Sequence, residues 1–317
     1  MKKHLWAICY SILLIAFTTY MALDTFVLTK VYSVVDGTQE NQISSPQAQQ
    51  QDMGSEQNSH SQTESSDQAE SGTVTVTGTS YEDENIQITL TEYREYDTSI
   101  YVADIRLSSP EYLQTAFAQG TYGKNVTEKT SVIASENGAI LAINGDYYGA
   151  QEDGYVLKNG VLYRDNAARN QEDLVIYADG NFEIINESDI SAEALLHNGA
   201  VQVLSFGPAL VQDGTISISE DEEVGKAKAS NPRTAIAVVD DLHYLFIVSD
   251  GRTNESEGLS LHELAEFAQG LGAQTVYNLD GGGSSTMVFN GDVINQPTSS
   301  GRSIKERSVS DIVYIGY

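Results

Sequence analysis

The chain has 317 residues, 45 acidic and 17 basic side chains, and a formal charge of −28. That length allows one large domain with appendages. The charge excludes nucleic acid as a partner, since binding a phosphate backbone needs a basic face. The single cysteine, Cys9, excludes disulfides and cysteine-ligated metal.

Leu5 to Leu23 carries no charge and follows Lys2 and Lys3. The segment reaches the length of a spanning helix, and Tyr20-Met21-Ala22 is a poor cleavage site. Residues 1–30 therefore read as an uncleaved signal anchor, a transmembrane helix with its basic end inside. A cleaved signal peptide is the alternative. The first reading gives a single-pass protein of the cell membrane with an extracellular C-terminal domain, partnered with the membrane through its N-terminal helix. Residues 31–72 form the linker. From 38 to 72 about half the positions are glutamine or serine and none is aromatic. Such a segment buries too little apolar surface to offset its chain entropy, which predicts a disordered tether.

The folded domain is expected over 73–317. Gly72 to Thr79, Asn85 to Tyr93 and Ser99 to Leu107 read as strands. Asn159-Gly160, Asp179-Gly180, Asp213-Gly214 and Asn290-Gly291 each separate two apolar runs, the signal of a two-residue hairpin. Val126 to Asn137 reads as a helix stopped by Gly138. Ser260 to Leu271 is a second helix, with Ser260 and Glu263 as a capping box and Gly272 as its stop. It leads into the strand Thr275 to Leu279, which suggests a local parallel crossover. The predicted class is α+β: a mixed, largely antiparallel sheet with a few packed helices.

Four polar clusters each adjoin an apolar run. They are Asn144-Gly145-Asp146, Arg233-Thr234, Asp250-Gly251-Arg252, and Asp280-Gly281-Gly282-Gly283-Ser284-Ser285. Open sheets place sites at strand ends, so neighbouring strands would bring these clusters together. Consecutive glycines suit close approach to the backbone, and successive N–H groups form an anion-binding concavity. Taken singly, Asn144-Gly145 and Asp250-Gly251 are also ordinary turn signals. His197, His243 and His262 show no ligand spacing, which argues against zinc. The loop lacks the G-x-S-x-G elbow and both nucleotide-binding glycine patterns. Glu220 to Glu223 reads as a solvated loop, with calcium binding the lesser alternative.

With all four clusters in view, the chain resembles the phosphodiester glycosidase family from about Asn125 to Tyr317. The Asn278-Leu279-Asp280-Gly281-Gly282-Gly283-Ser284-Ser285-Thr286 string is the most specific piece. Ala142 to Gly145, Asn231 to Ala235, Asp250 to Arg252 and Glu306-Arg307 also match family segments. Asp146 departs from the pattern, where glycine is often found. The resemblance implies hydrolysis of a sugar-1-phosphodiester to free sugar and a phosphomonoester; with the N-terminal segment placing the domain outside the cytoplasm, the expected substrate is a phosphodiester-linked glycan of the envelope or an exopolysaccharide. The resemblance also implies Asp280 as nucleophile or general base and Asp250 as second carboxylate. Asn144, Gly145, Arg233, Thr234, Arg252, Gly281, Gly282, Gly283, Ser284, Ser285 and Arg307 would bind substrate. No cofactor is required in that reading. One competitor is a phosphodiesterase that holds a divalent cation on Asp146, Asp250 and Asp280, with Asn144 as a further ligand. The other is a non-catalytic glycan-binding protein.

Overall fold

The computed structural model describes residues 5–34, 74–220 and 230–317. Of the expected linker over 31–72, residues 35–72 lie outside the described residues, as do the acidic residues 221–223, while residues 31–34 are not a tether but part of a paired strand. The apolar N-terminal segment is a helix, Leu5–Phe26, whose described large apolar side chains are exposed. Among the described residues no helix is long and apolar enough to cross a membrane, so the expected transmembrane helix finds no support here. A strand, Lys30–Val34, follows and pairs with Thr121–Lys124, which ties the N-terminal segment to the folded part.

Three sheets share one core. The largest has nine strands, with Arg233–Asp240 and His243–Ser249 near its centre, flanked by Thr275–Asn278 and Thr98–Leu107. Two five-stranded sheets pack against it. One contains Leu141–Asn144, Met287–Phe289 and Asp311–Ile315; the other contains Gly154–Lys158, Glu172–Tyr177 and Ala200–Leu204. Side chains alternate between faces, as strand geometry requires. Tyr244, Phe246 and Val248 enter the shared core, while Leu245 and Ile247 meet the helix Leu261–Gly270 on the outer face. Shorter helices, Thr130–Glu136 and Ala192–His197, cover the outer faces of the smaller sheets.

Local signals translate directly. Ser260 and Glu263 form the reciprocal capping box. Asn159-Gly160, Asp213-Gly214 and Asn290-Gly291 have positive φ at both residues, as tight hairpins need. Two expectations change. The Val126–Asn137 helix begins only at Thr130, because Glu128–Lys129 pairs with Ser308–Val309. The parallel crossover does not form a parallel pair. Thr275–Asn278 and His243–Ser249 run the same way, but Arg233–Asp240 lies between them and bonds to both. Every strand pairing among the described residues is antiparallel, so the sheets are not mixed.

Register decides where the site lies. Arg233 stands opposite Ser249, and Ala235 opposite Asn278. Arg233, Asp250 and the glycine loop therefore emerge at one end of the large sheet. Asn144 ends the strand Leu141–Asn144, and its carboxamide reaches that same end.

Candidate active site

Asn144 clamps the glycine loop. It is fully buried, and its Nδ2 donates to the Asp280 carbonyl at 2.6 Å. Its Oδ1 accepts from Thr234 Oγ1 at 2.9 Å and from the Thr286 N–H at 3.2 Å. One side chain thus holds both ends of the loop, so Asn144 and Thr234 act on loop shape rather than facing an open cavity. The three glycines answer to three neighbours. A Cβ on Gly281 would stand 2.9 Å from the Pro232 carbonyl oxygen, and one on Gly283 would collide with Ser299. Gly282 has φ +62° and lies under Arg252, whose Nη2 would be 2.8 Å from a Cβ there.

The loop's amides are largely used inside the protein. Gly282 N–H donates to Pro232, Asp280 N–H to Gly145, Ser284 N–H to Gly281 and Ser285 N–H to Gly282. A continuous concavity of bare N–H groups, expected from the sequence, is therefore not what the loop offers. It offers instead a partly exposed carboxylate and guanidinium groups, joined through the buried Ser284 hydroxyl.

Those groups form a triangle. Asp280 Oδ2 accepts from Ser284 Oγ and from Arg307 Nη2, both at 2.6 Å, and Arg307 Nε donates to Ser284 Oγ at 2.8 Å. Asp280 keeps 14% of its side-chain surface exposed and Arg307 keeps 43%; the pair is reachable from solvent. Burial pushes the Asp280 carboxyl above the usual range, and Arg307 and Ser284 pull against it. Asp280 and Arg307 line a cavity of about 160 Å³ with Asn125, Thr127, Tyr147 and Ser310. Tyr147 belongs to the polar run Asn144-Gly145-Asp146-Tyr147-Tyr148, although the sequence gives it no role. It holds a left-handed backbone (φ +74°, ψ +17°) that is uncommon for an aromatic residue, and the residue is 43% exposed. Local sequence carries no signal for that strain beyond the preceding Asn-Gly turn.

Arg252 and Arg233 flank the loop differently. Arg252 donates Nη2 to Asn231 Oδ1 at 2.9 Å and Nη1 to the Ser299 carbonyl at 2.7 Å. Burial and the charge of Arg307 both hold its pKa below the usual arginine value, so the two guanidinium groups share one region. Arg233 is buried beside Gly281, with Nε on the Leu259 carbonyl at 2.9 Å. Asp250 is buried too. Its Oδ1 accepts from the Gln296 N–H at 2.8 Å and Asn295 Nδ2 at 3.2 Å, and its Oδ2 from Tyr101 at 3.3 Å. Asn295 Nδ2 also donates to the Ser285 carbonyl at 3.0 Å. Asp250 thus supports the loop from behind. No hydrogen bond joins it to Asp280 among the described residues; the two carboxylates are held by different partners.

Gly145 is required by a buried ion cluster: a Cβ there would collide with the Asp311 carboxylate. Lys158 Nζ lies 2.9 Å from Asp146 Oδ2 and 2.8 Å from Asp311 Oδ2, all three buried. Burial alone would lower the Lys158 pKa, but the two carboxylates outweigh it and raise it. Burial, then the Asp146 charge, pushes Asp311 up to about 6. Asp146, Asp250 and Asp280 are therefore each held by separate partners and do not meet around one point. Among the described residues no group of three or more His, Cys, Asp or Glu is placed to hold a metal ion.

Comparison with known proteins adds a family. Mouse N-acetylglucosamine-1-phosphodiester alpha-N-acetylglucosaminidase is 30% identical over 188 residues, 54% of this chain and 35% of that protein. An uncharacterized SPbeta prophage-derived protein of Bacillus subtilis is 27% identical over 201 residues, 62% of this chain and 31% of its own. The chain spans about a third of the length of these relatives. The zebrafish N-acetylglucosamine-1-phosphodiester alpha-N-acetylglucosaminidase catalytic domain, auto-inhibited by its pro-peptide, shares the fold with a TM-score of 0.58 at 22% identity. That match covers 73% of this chain and 83% of the zebrafish chain. The phosphodiester glycosidase sequence profile matches residues 137–316, which include Asn144, Arg233, Asp250, the glycine loop and Arg307, and the chain belongs to that family.

Proposed function

We propose that this domain hydrolyses a sugar-1-phosphodiester to free sugar and phosphomonoester, outside the cytoplasm, on an envelope or exopolysaccharide glycan. The observation that carries the reading is the Asp280–Arg307 pair, at 2.6 Å, on the wall of the 160 Å³ cavity. A glycosyl transition state needs negative charge beside the anomeric carbon and positive charge on the departing phosphate. Asp280 supplies the first. Arg307 and Arg252 supply the second through charge-assisted hydrogen bonds to phosphate oxygens. The extracytoplasmic placement is supported by the absence of any thiol after Cys9.

The bond that breaks is between the anomeric carbon and the ester oxygen, whose electron pair leaves with the phosphate. A phosphomonoester is a weak base, so a second carboxylate acting as general acid is not needed, and Asp250 serves as a positioning residue. Asp280 acts as base toward the attacking water or as the nucleophile itself; in either route a water oxygen ends on the sugar. Asn144, Thr234 and Asp250 act by fixing the loop that carries Asp280. No metal takes part in this scheme.

The test uses the purified full chain and an N-acetylglucosamine-1-phosphodiester of a simple alcohol. Phosphomonoester release that persists in excess EDTA supports the reading. Loss of release on chelation favours the divalent-cation alternative, and binding without release favours a glycan-binding protein.

A further inference from the structure

Charge around the site runs against the rest of the chain. Two further cavities adjoin the one that holds Asp280. The first, of about 400 Å³, shares Arg307 and Ser308 with it and is lined also by Lys129 and Lys305. The second, of about 370 Å³, shares Ser303 with the first and is lined by Arg252 and Arg302. Linked through these shared residues, the two line a basic groove beside the Asp280 cavity, with Arg252 and Arg307 close to the glycine loop. Five basic side chains line it against two acids, Glu306 and Glu255, in a chain with 45 acidic and 17 basic residues. Glu306 is turned to Ser131, accepting from its N–H at 3.0 Å and its hydroxyl at 2.7 Å. Lys129, Arg302 and Lys305 are exposed and make no ion pair among the described residues.

The Asp280 cavity differs in kind. Apart from the Asp280–Arg307 pair, its lining side chains are uncharged, with Asn125, Thr127, Tyr147 and Ser310 among them. An uncharged, hydroxyl-bearing sugar ring suits it. The scissile phosphate then lies at Arg307, where the cavities join, and whatever the phosphate is esterified to extends along the basic groove.

We propose that this groove is the aglycone subsite and that it takes an aglycone carrying a further phosphate, as in a glycan whose units are joined by repeated phosphodiesters. The inference rests on the glycosidase reading and adds its substrate class. A neutral aglycone would gain little from three unpaired exposed cations. At −28 the long-range field repels any polyanion, so cations at the point of entry are what make an anionic chain admissible. Screening over about 8 Å at physiological salt leaves that local cluster as the field the ligand meets on docking.

Two probes test this: the N-acetylglucosamine-1-phosphodiester of propane-1,3-diol, and the same compound with its far hydroxyl phosphorylated. The wild-type chain is expected to favour the phosphorylated probe in kcat/KM by about 10-fold at low salt, and the preference should shrink as NaCl is added. The double variant Arg302→Gln/Lys305→Gln should lose that preference while its rate on the neutral probe stays unchanged. Equal turnover of both probes by the wild type, or a double variant that slows both alike, overturns the aglycone proposal alone. Turnover of neither probe overturns it together with the glycosidase reading.

Discussion

Arg307 Nη2 stands 2.6 Å from Asp280 Oδ2, and Ser284 Oγ bonds to both side chains. The acid at the end of the Thr275–Asn278 strand is thereby balanced by a guanidinium that arrives 27 positions later, after the loop over Ser299–Arg302. A bound phosphodiester would compete for that guanidinium. In the proposed reaction the pair would keep the carboxylate ionised in the free protein and release its cation to the leaving group on substrate binding.

This coupling sets a pH dependence. Burial raises the Asp280 pKa, and Arg307 opposes that rise. Activity that needs ionised Asp280 should fall on the acid side at a pH above the ordinary carboxylate range. Arg307→Gln removes the opposing charge, so the acid limb of kcat/KM moves to still higher pH. It also removes a phosphate contact, with a loss of about 10²-fold at the optimum. A pH–rate profile of both proteins checks it; an unmoved acid limb would show that the limb does not report Asp280.

Asn144 provides a separate test of positioning. Asn144→Ala leaves the Thr286 N–H, the Thr234 hydroxyl and the Asp280 carbonyl without their partner inside the protein. Stability should drop by about 2–4 kcal/mol, together with kcat. Urea denaturation read alongside kinetics checks this. A rise in KM at unchanged stability would instead mean that Asn144 touches substrate directly.

A pH effect on stability is expected away from the site. Asp173 is fully buried, and among the described residues neither of its oxygens has a hydrogen-bond partner of good geometry, with Glu187 and Ser205 its polar neighbours. Burial and the neighbouring Glu187 push its carboxyl up to about 9. A free carboxyl titrates near ~4, so between those values the folded protein holds a proton that the unfolded chain releases. Stability from this group is full below pH ~4 and falls as pH rises toward 9, by about 1 kcal/mol per pH unit. Asp173→Asn removes the slope. Urea melts at pH 5, 6.5 and 8 should show the variant gaining steadily on the wild type; parallel curves would mean that Asp173 does not hold that proton.

The local signals in the sequence proved informative because each depends on neighbours a few residues away. The Ser260–Glu263 cap and the Asn-Gly hairpins are of this kind. The four polar clusters were legible as strand ends for the same reason. What was not legible depends on partners far along the chain. Asp250 reads from sequence as a second carboxylate, but nothing local announces its partners Gln296, Asn295 and Tyr101. Asp146 looked like a ligand, yet Lys158 and Ser205 take its Oδ2. One clue was present: Lys158 ends the apolar run Tyr155–Leu157, and Asp311 opens the apolar strand Asp311–Ile315. Charges on otherwise buried strands ask for each other. The expected parallel crossover is split, because Arg233–Asp240 slots between its two strands, and no local pattern encodes that insertion.

Cleavage at the anomeric carbon by Asp280 is the central claim, and turnover of a sugar-1-phosphodiester in oxygen-18 water reads it most directly. The expected result is label in the released sugar and none in the phosphomonoester, with Asp280→Asn losing this turnover while its circular dichroism and melting stay native. Label in the phosphomonoester, or full turnover by a well-folded Asp280→Asn protein, would contradict it.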